Sequence, residues 1–144
     1  MNVFQLNYDA RLRSWHDLRT KIEKADTQTK CVEIDDWWQQ APMVAHHLHP
    51  SDIQQWPDPW DLLVDNTYCP IARGLGMVYT LSLVGITAID FVLGKDDNDD
   101  VTLVMVDHAK YILNHHPHSV ISSGLPELKI TQHIELETLI KKIK

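Results

Sequence analysis

The sequence is poor in the residues that staple small secreted domains or span membranes. Two of its 144 residues are cysteines, too few for a disulfide framework, so we predict a reduced, cytoplasmic protein. No run of about 18 uncharged apolar residues occurs, so we expect no membrane association. Basic residues are also scarce. Thirteen Lys and Arg stand against 20 Asp and Glu, and the net charge of −7 disfavours nucleic-acid binding because it repels phosphates.

The remaining composition is that of one globular domain. Hydrophobic residues make up 44% of the chain and charged residues 23%, which excludes a disordered chain. We therefore predict a single domain over residues 1–144. Residues 1–65 form a helical, proline-rich half, and residues 66–144 hold a central helix, an antiparallel sheet and a C-terminal helix.

The segment from Tyr68 to Gly85 has two interpretations. As a helix, it has Cys69 as its N-cap, Pro70 at its first position and Gly85 as its C-terminal stop. As a strand, residues 77–84 alternate in hydrophobicity after a glycine turn. We favour the helix because the Cys-Pro start and the length suit it.

The patterns on either side of this segment predict the fold class. Apolar residues at helical spacing precede it, and short runs rich in β-branched residues follow it. The predicted class is α+β, with N-terminal helices followed by an antiparallel sheet of three to five strands. The predicted helices are 11–24, 27–40, 59–65 and 135–143, the predicted strands are 86–93, 101–106, 111–114, 119–122 and 128–133, and 95–100 is predicted as a solvated loop.

A cysteine at the start of a helix is a candidate nucleophile, because helix N-termini stabilise the thiolate. Cys69 and Ala72, a helix ending at Gly85-Ile86, the strand Val101–Val106 and the returning strand Lys110–Asn114 follow in order. In this order the chain resembles the core of the transglutaminase-like, papain-related superfamily.

The resemblance implies a cysteine that attacks an acyl carbonyl, a histidine that takes its proton and an acidic or Asn residue that orients the histidine. On this chain the nucleophile would be Cys69 and the orienting residue Asn114. The histidine position falls at Asp100-Val101, where no histidine stands. His115 and His116 are the candidates that could replace it, while His108 lies in the predicted hairpin turn.

The unmatched histidine position leads us to predict a non-catalytic binding or assembly module that acts through a protein partner or self-association. The alternative is a cysteine-dependent acyl-transfer or hydrolytic enzyme. The segments Trp56–Leu63, Tyr68-Cys69 and Leu75–Leu81 are also similar to short uncharacterised proteins of tailed phages of marine bacteria, which implies a phage or marine microbial origin.

Two histidine clusters, residues 46–49 and 115–118, share the pattern His-His-x-His. Imidazole is a common ligand of zinc and nickel. If the clusters meet, His47, His49, His116 and His118 could supply four nitrogens, which makes a metal-binding protein the second alternative. Otherwise we expect no cofactor beyond adventitious zinc or nickel.

Adjacent tryptophans at 37 and 38 cannot both face one core from a single helix face. We expect them to pack against Trp56-Pro57 and Trp60. The alternative is that they stay exposed as a partner surface.

Overall fold

A computed structural model describes residues 2–44, 47–97, 99–116, 119–121 and 128–143. Five α-helices and one five-stranded sheet are formed by these residues. The α+β class, with helices preceding an antiparallel sheet, is therefore confirmed. In the described part of the chain, no helix has the length and apolar character needed to cross a membrane.

Side-chain caps explain where the first three helices begin. Helix α1 covers Tyr8–Ile22, and α2 covers Thr27–Trp38 behind Asp26, whose carboxylate accepts the N–H of Thr29 at 2.7 Å. Helix α3 covers Pro59–Asp65, and its cap is Asp58, as predicted. Helix α1 begins three residues earlier than residue 11 because the side chain of Asn7 caps it.

Helix α4 covers Pro70–Leu83, so the helical interpretation is confirmed and the strand over 77–84 is wrong. Two glycines inside this helix allow close packing. A Cβ at Gly76 would lie 2.6 Å from the Trp38 ring, and one at Gly74 would lie 2.7 Å from the Phe91 ring. The N–H of Ile86 returns to the carbonyl of Leu81 at 3.0 Å, which ends the helix and delays the first strand.

The sheet has the order β4-β3-β2-β1-β5, and all its neighbours are antiparallel. The central position of β2 agrees with its continuous apolar sequence. The strands are β1 (Ile89–Asp96), β2 (Asp99–Val106), β3 (Tyr111–His116), β4 (Ser119–Ile121) and β5 (Lys129–Ile134), and helix α5 (Leu136–Ile140) follows.

The acidic stretch at 95–100 is not the solvated loop that its composition predicted. Lys95 pairs with Asp100 and Asp96 with Asp99, so β1 and β2 continue nearly to the tip of their hairpin. Gly94, predicted to end the strand, lies inside β1 at a register irregularity opposite β5. Backbone pairing with a neighbour outweighs the low strand propensity of aspartate here.

The adjacent tryptophans are both buried, with Trp37 8% and Trp38 0% exposed. They pack on Phe4, at ring distances of 4.9 and 6.0 Å, and Trp38 also packs on Tyr68. The ring partners differ from the predicted Trp56 and Trp60. Because neither indole is exposed, the pair does not form a partner surface.

Candidate functional site

Cys69 is the N-cap residue of α4, and Pro70 stands at the first helical position. The thiol makes no capping hydrogen bond, and the residue is 2% exposed. It lines a partly open cavity of about 430 Å³. The sequence correctly predicted that Cys69 lies at the start of a helix, but it did not predict the cavity.

The cavity lies where the start of α4 faces the hairpin end of the sheet. One wall comes from the proline-rich segment before α3, and the opposite wall from β1, β2 and β5. Its lining residues are Leu48, His49, Pro50, Cys69, Pro70, Ile71, Leu93, Gly94, Asp100, Val101, Thr102, Thr131 and Gln132. Apolar and polar residues share the lining, and Asp100 is paired with Lys95 at 3.0 Å.

Asn114 joins the start of α4 to the sheet. It is 5% exposed and has a left-handed backbone with φ 66°, a conformation that asparagine tolerates well. Its Nδ2 donates to the carbonyls of Pro70 and Thr102, both at 2.9 Å. Its Oδ1 accepts from Nε of Arg73 at 2.6 Å. Both side-chain N–H groups are therefore committed to backbone oxygens.

The buried carboxyl group of Asp35 binds the backbone of Asn114. Asp35 is fully buried, and its Oδ1 accepts the backbone N–H of Asn114 at 2.9 Å. Burial raises the pKa of Asp35 and lowers that of Arg73, while attraction between the two opposes both shifts. Burial, with the nearby Asp35, also raises the pKa of Cys31 to about 12. Cys31 is therefore an unreactive thiol at neutral pH.

No family model and no curated protein matches the chain, but solved structures do. Legionella pneumophila LapG superposes with a TM-score of 0.73 at 14% identity, covering 89% of this chain and 76% of that one. An EGTA-treated LapG gives 0.74 at 14% identity, covering 89% and 74%. A calcium-bound LapG gives 0.77 at 12% identity, covering 96% and 92%.

The chain shares the fold of LapG, which is of the transglutaminase-like, papain-like type. At this level of identity the likeness concerns the fold alone. The expectation of that fold, drawn from the order of elements around Cys69, is confirmed. The similarity to phage proteins remains a prediction.

Of the histidines named as candidate bases, His108 and His115 are not among the described residues that line the cavity. The stretch of β2 that does line it is Asp100, Val101 and Thr102. His108 is exposed in the turn between β2 and β3, the end of β2 away from Asp100. His115 is half-buried in β3 and is not among the described lining residues, and the side chain of His116 lies outside the described part.

Among the described residues, His49 is a histidine that lines the cavity together with Cys69. Its Nδ1 accepts the backbone N–H of Ser51 at 3.1 Å, and the hydroxyl of Ser51 is 2.7 Å from the same nitrogen. A neutral imidazole that accepts at Nδ1 carries its proton on Nε2. His49 is thus arranged as a hydrogen-bond donor. The sequence indicated it only as a metal ligand, because nothing in the spacing shows that residues 48–50 fold back beside Cys69.

The metal hypothesis stays a prediction. Within the described ranges, no three His, Cys, Asp or Glu side chains are grouped so that they could hold an ion. His47 and His49 are exposed in those ranges. His118 and the side chain of His116 lie outside them.

Proposed function

We propose that this chain is a non-catalytic binding module on a papain-like fold, with the cavity beside Cys69 as its ligand site. The observation that carries the proposal is the hydrogen bonding of Asn114. An orienting residue of this fold accepts an imidazole N–H at its side-chain oxygen. Here Oδ1 of Asn114 accepts from Nε of Arg73, and both side-chain N–H groups donate to backbone carbonyls. Through these hydrogen bonds Asn114 links the start of α4 to β2.

A thiol without a base is a weak nucleophile near neutral pH. The position that should supply the base holds Asp100, Val101 and Thr102. Asp100 is engaged by Lys95 at 3.0 Å, and a carboxylate is a poor base for a thiol. The site therefore has a cysteine at the nucleophile's position, but it lacks a suitable base at the position on β2 where one is expected.

The cavity supports the binding half of the proposal. Its volume of about 430 Å³ lies in the usual range for small-ligand pockets, and its lining combines apolar residues with polar groups that can orient a guest. The chain's net charge of −7 disfavours an acidic ligand. We take the ligand to be a protein segment, from a partner or from a second copy of this chain.

An acyl-transfer assay tests the non-catalytic character. We expect that p-nitrophenyl acetate gives no burst of p-nitrophenol that depends on Cys69, so the wild type and the Cys69→Ala variant should release product at the same rate. The Cys31→Ala variant is the matched control, because it also removes one of the two cysteines but leaves Cys69 in place. A stoichiometric burst that disappears in Cys69→Ala, with an acetyl mass increment on Cys69, would refute the proposal.

The second candidate function is cysteine-dependent acyl transfer, favoured by one observation: His49 and Cys69 line the same cavity. For His49 to act as the base, its ring must present an unprotonated nitrogen to the thiol. That requires breaking the contact with the backbone N–H of Ser51. In the same assay, this function predicts a burst that His49→Ala abolishes.

A further inference from the structure

The side-chain amide of Asn114 connects two residues that line the cavity. Its Nδ2 donates to the carbonyl of Pro70, at the start of α4, and to the carbonyl of Thr102, on β2, both at 2.9 Å. Pro70 and Thr102 both line the cavity, and Pro70 directly follows Cys69. Because the two carbonyl oxygens share one nitrogen, they are at most twice that distance apart. One amide group therefore ties together two of the elements that form the cavity.

The orientation of this amide is fixed by its other polar atom. Oδ1 of Asn114 accepts from Nε of Arg73 at 2.6 Å, and guanidinium nitrogens only donate hydrogen bonds. The amide oxygen must therefore face Arg73, which leaves the NH2 group to face the two carbonyls. If the amide turned over, oxygen would meet oxygen and NH2 would meet guanidinium, so all three hydrogen bonds would be lost.

The backbone of Asn114 is held as well. Its N–H donates to Oδ1 of the buried Asp35 at 2.9 Å, and its φ of 66° lies in the left-handed region, which asparagine adopts more readily than most residues. Gly74 of α4 gives the amide room, since a Cβ there would lie 3.1 Å from Nδ2 of Asn114. Contacts from α2, α4 and β2 together determine where this side chain lies.

We propose that Asn114 is a positioning residue of the ligand site: its amide sets the separation of the cavity walls at Pro70 and Thr102, and with it the size of the group that the cavity admits beside Cys69. The hydrogen bond to Thr102 is buried, and a buried carbonyl that loses its donor costs free energy, so the separation resists change. This inference rests on the proposed ligand site and adds which residue determines its selectivity for size.

The thiol of Cys69 can report the width of the cavity that it lines. In a Cys31→Ala background Cys69 is the sole thiol, and it is labelled either with iodoacetamide, which is small, or with N-(1-pyrenyl)maleimide, which is bulky; both are uncharged. A change in the thiolate fraction multiplies both labelling rates, so the ratio of the bulky to the small reagent measures selection by size. Asn114→Gly keeps the left-handed backbone and removes the amide, and we expect it to raise this ratio about threefold to tenfold.

Asn66→Gly is the matched control. Asn66 is also left-handed, with φ 53°, and its Nδ2 also donates to a backbone carbonyl, that of Phe4, at 2.9 Å. Neither residue is among the described residues that line the cavity, so this variant should leave the ratio unchanged. A general loss of stability would expose the thiol to both reagents alike through unfolding, and it would not raise the ratio in this selective way.

Asn114→Asp is the second variant, in case Asn114→Gly does not fold. Aspartate tolerates the left-handed backbone and keeps an oxygen for Arg73, but its second oxygen faces the two carbonyls, so the ratio should rise as well. The inference is overturned if the folded Asn114 variants keep the ratio of their parent, or if Asn66→Gly raises the ratio equally.

The labelling ratio reports the width of the cavity whether or not the cavity binds a ligand. An unchanged ratio would remove the positioning role and leave the proposed function intact, while a Cys69-dependent acyl burst would remove the proposed function and leave the positioning role.

Discussion

Thr80 accepts hydrogen bonds from two buried indoles at once. Nε1 of Trp15 lies 2.9 Å and Nε1 of Trp38 lies 3.0 Å from its Oγ1, and the hydroxyl donates to the carbonyl of Gly76. Thr80 and both tryptophans have no exposed surface. The substitution Thr80→Val keeps the shape of the side chain and removes the hydrogen-bond acceptor. Because the site is fully buried, water cannot replace the lost acceptor.

The expected cost follows from the two donors left without a partner. Each buried unsatisfied donor costs about 1–3 kcal/mol, so Thr80→Val should lower the free energy of unfolding by about 2–6 kcal/mol. Valine and threonine have nearly the same volume and are both β-branched, so the cavity and χ1 contributions are small. The loss is a large share of the roughly 5–15 kcal/mol by which domains are stable.

Guanidinium unfolding followed by tryptophan fluorescence measures this loss as a shift of the midpoint at constant slope. Thr80→Ser is the matched control because it keeps the hydroxyl and loses one methyl group, which costs about 1 kcal/mol. If Thr80→Val is as stable as Thr80→Ser, the shared acceptor contributes nothing and the reasoning is refuted.

Two further predictions concern strain and buried charge. His108 has φ 58° in a turn of three consecutive left-handed residues. Because glycine relieves the backbone strain but has more conformational entropy to lose, His108→Gly should raise the free energy of unfolding by about 0.5–1 kcal/mol. A lower free energy of unfolding, measured by chemical denaturation, would contradict this prediction. Burial raises the pKa of Asp35, so its contribution to stability is greatest below about pH 4 and is lost as the pH rises through the folded-state pKa. Asp35→Asn keeps an acceptor for Asn114 and removes this titration. Its melting temperature relative to the wild type should therefore rise from about pH 4 to about pH 7, and a constant difference would count against the buried charge.

Much of the fold could be predicted because its signals are local. Pro70 after Cys69 and Gly85 at the other end delimit α4, and Asp58 before Pro59 starts α3, through interactions within a few residues. The central strand β2 was recognisable from its continuous apolar run, since only burial on both faces favours such a sequence. Boundaries were less accurate where backbone pairing continued through the polar hairpin at 95–100.

The site depends on contacts between distant parts of the chain, and these leave no periodicity to recognise. The family resemblance identified Asn114 by its place at the end of a strand, but its partners Asp35, Pro70 and Thr102 come from three other elements. The sequence gave no sign that His49 lines the same cavity as Cys69, because its segment contains prolines and has no regular pattern.

The amino-acid sequence by itself determined an acidic α+β domain with a cysteine at the start of its central helix, because caps, glycine stops and apolar runs act over short distances. The tertiary structure alone decided what surrounds that cysteine. Folding engaged the amide group of Asn114, the predicted orienting residue, with two backbone carbonyls and Arg73, and it placed a proline-rich segment in the lining of the cavity that Cys69 also lines. The physical reason is that hydrogen-bond satisfaction in a buried site is a property of the assembled neighbours, which no single stretch of sequence contains.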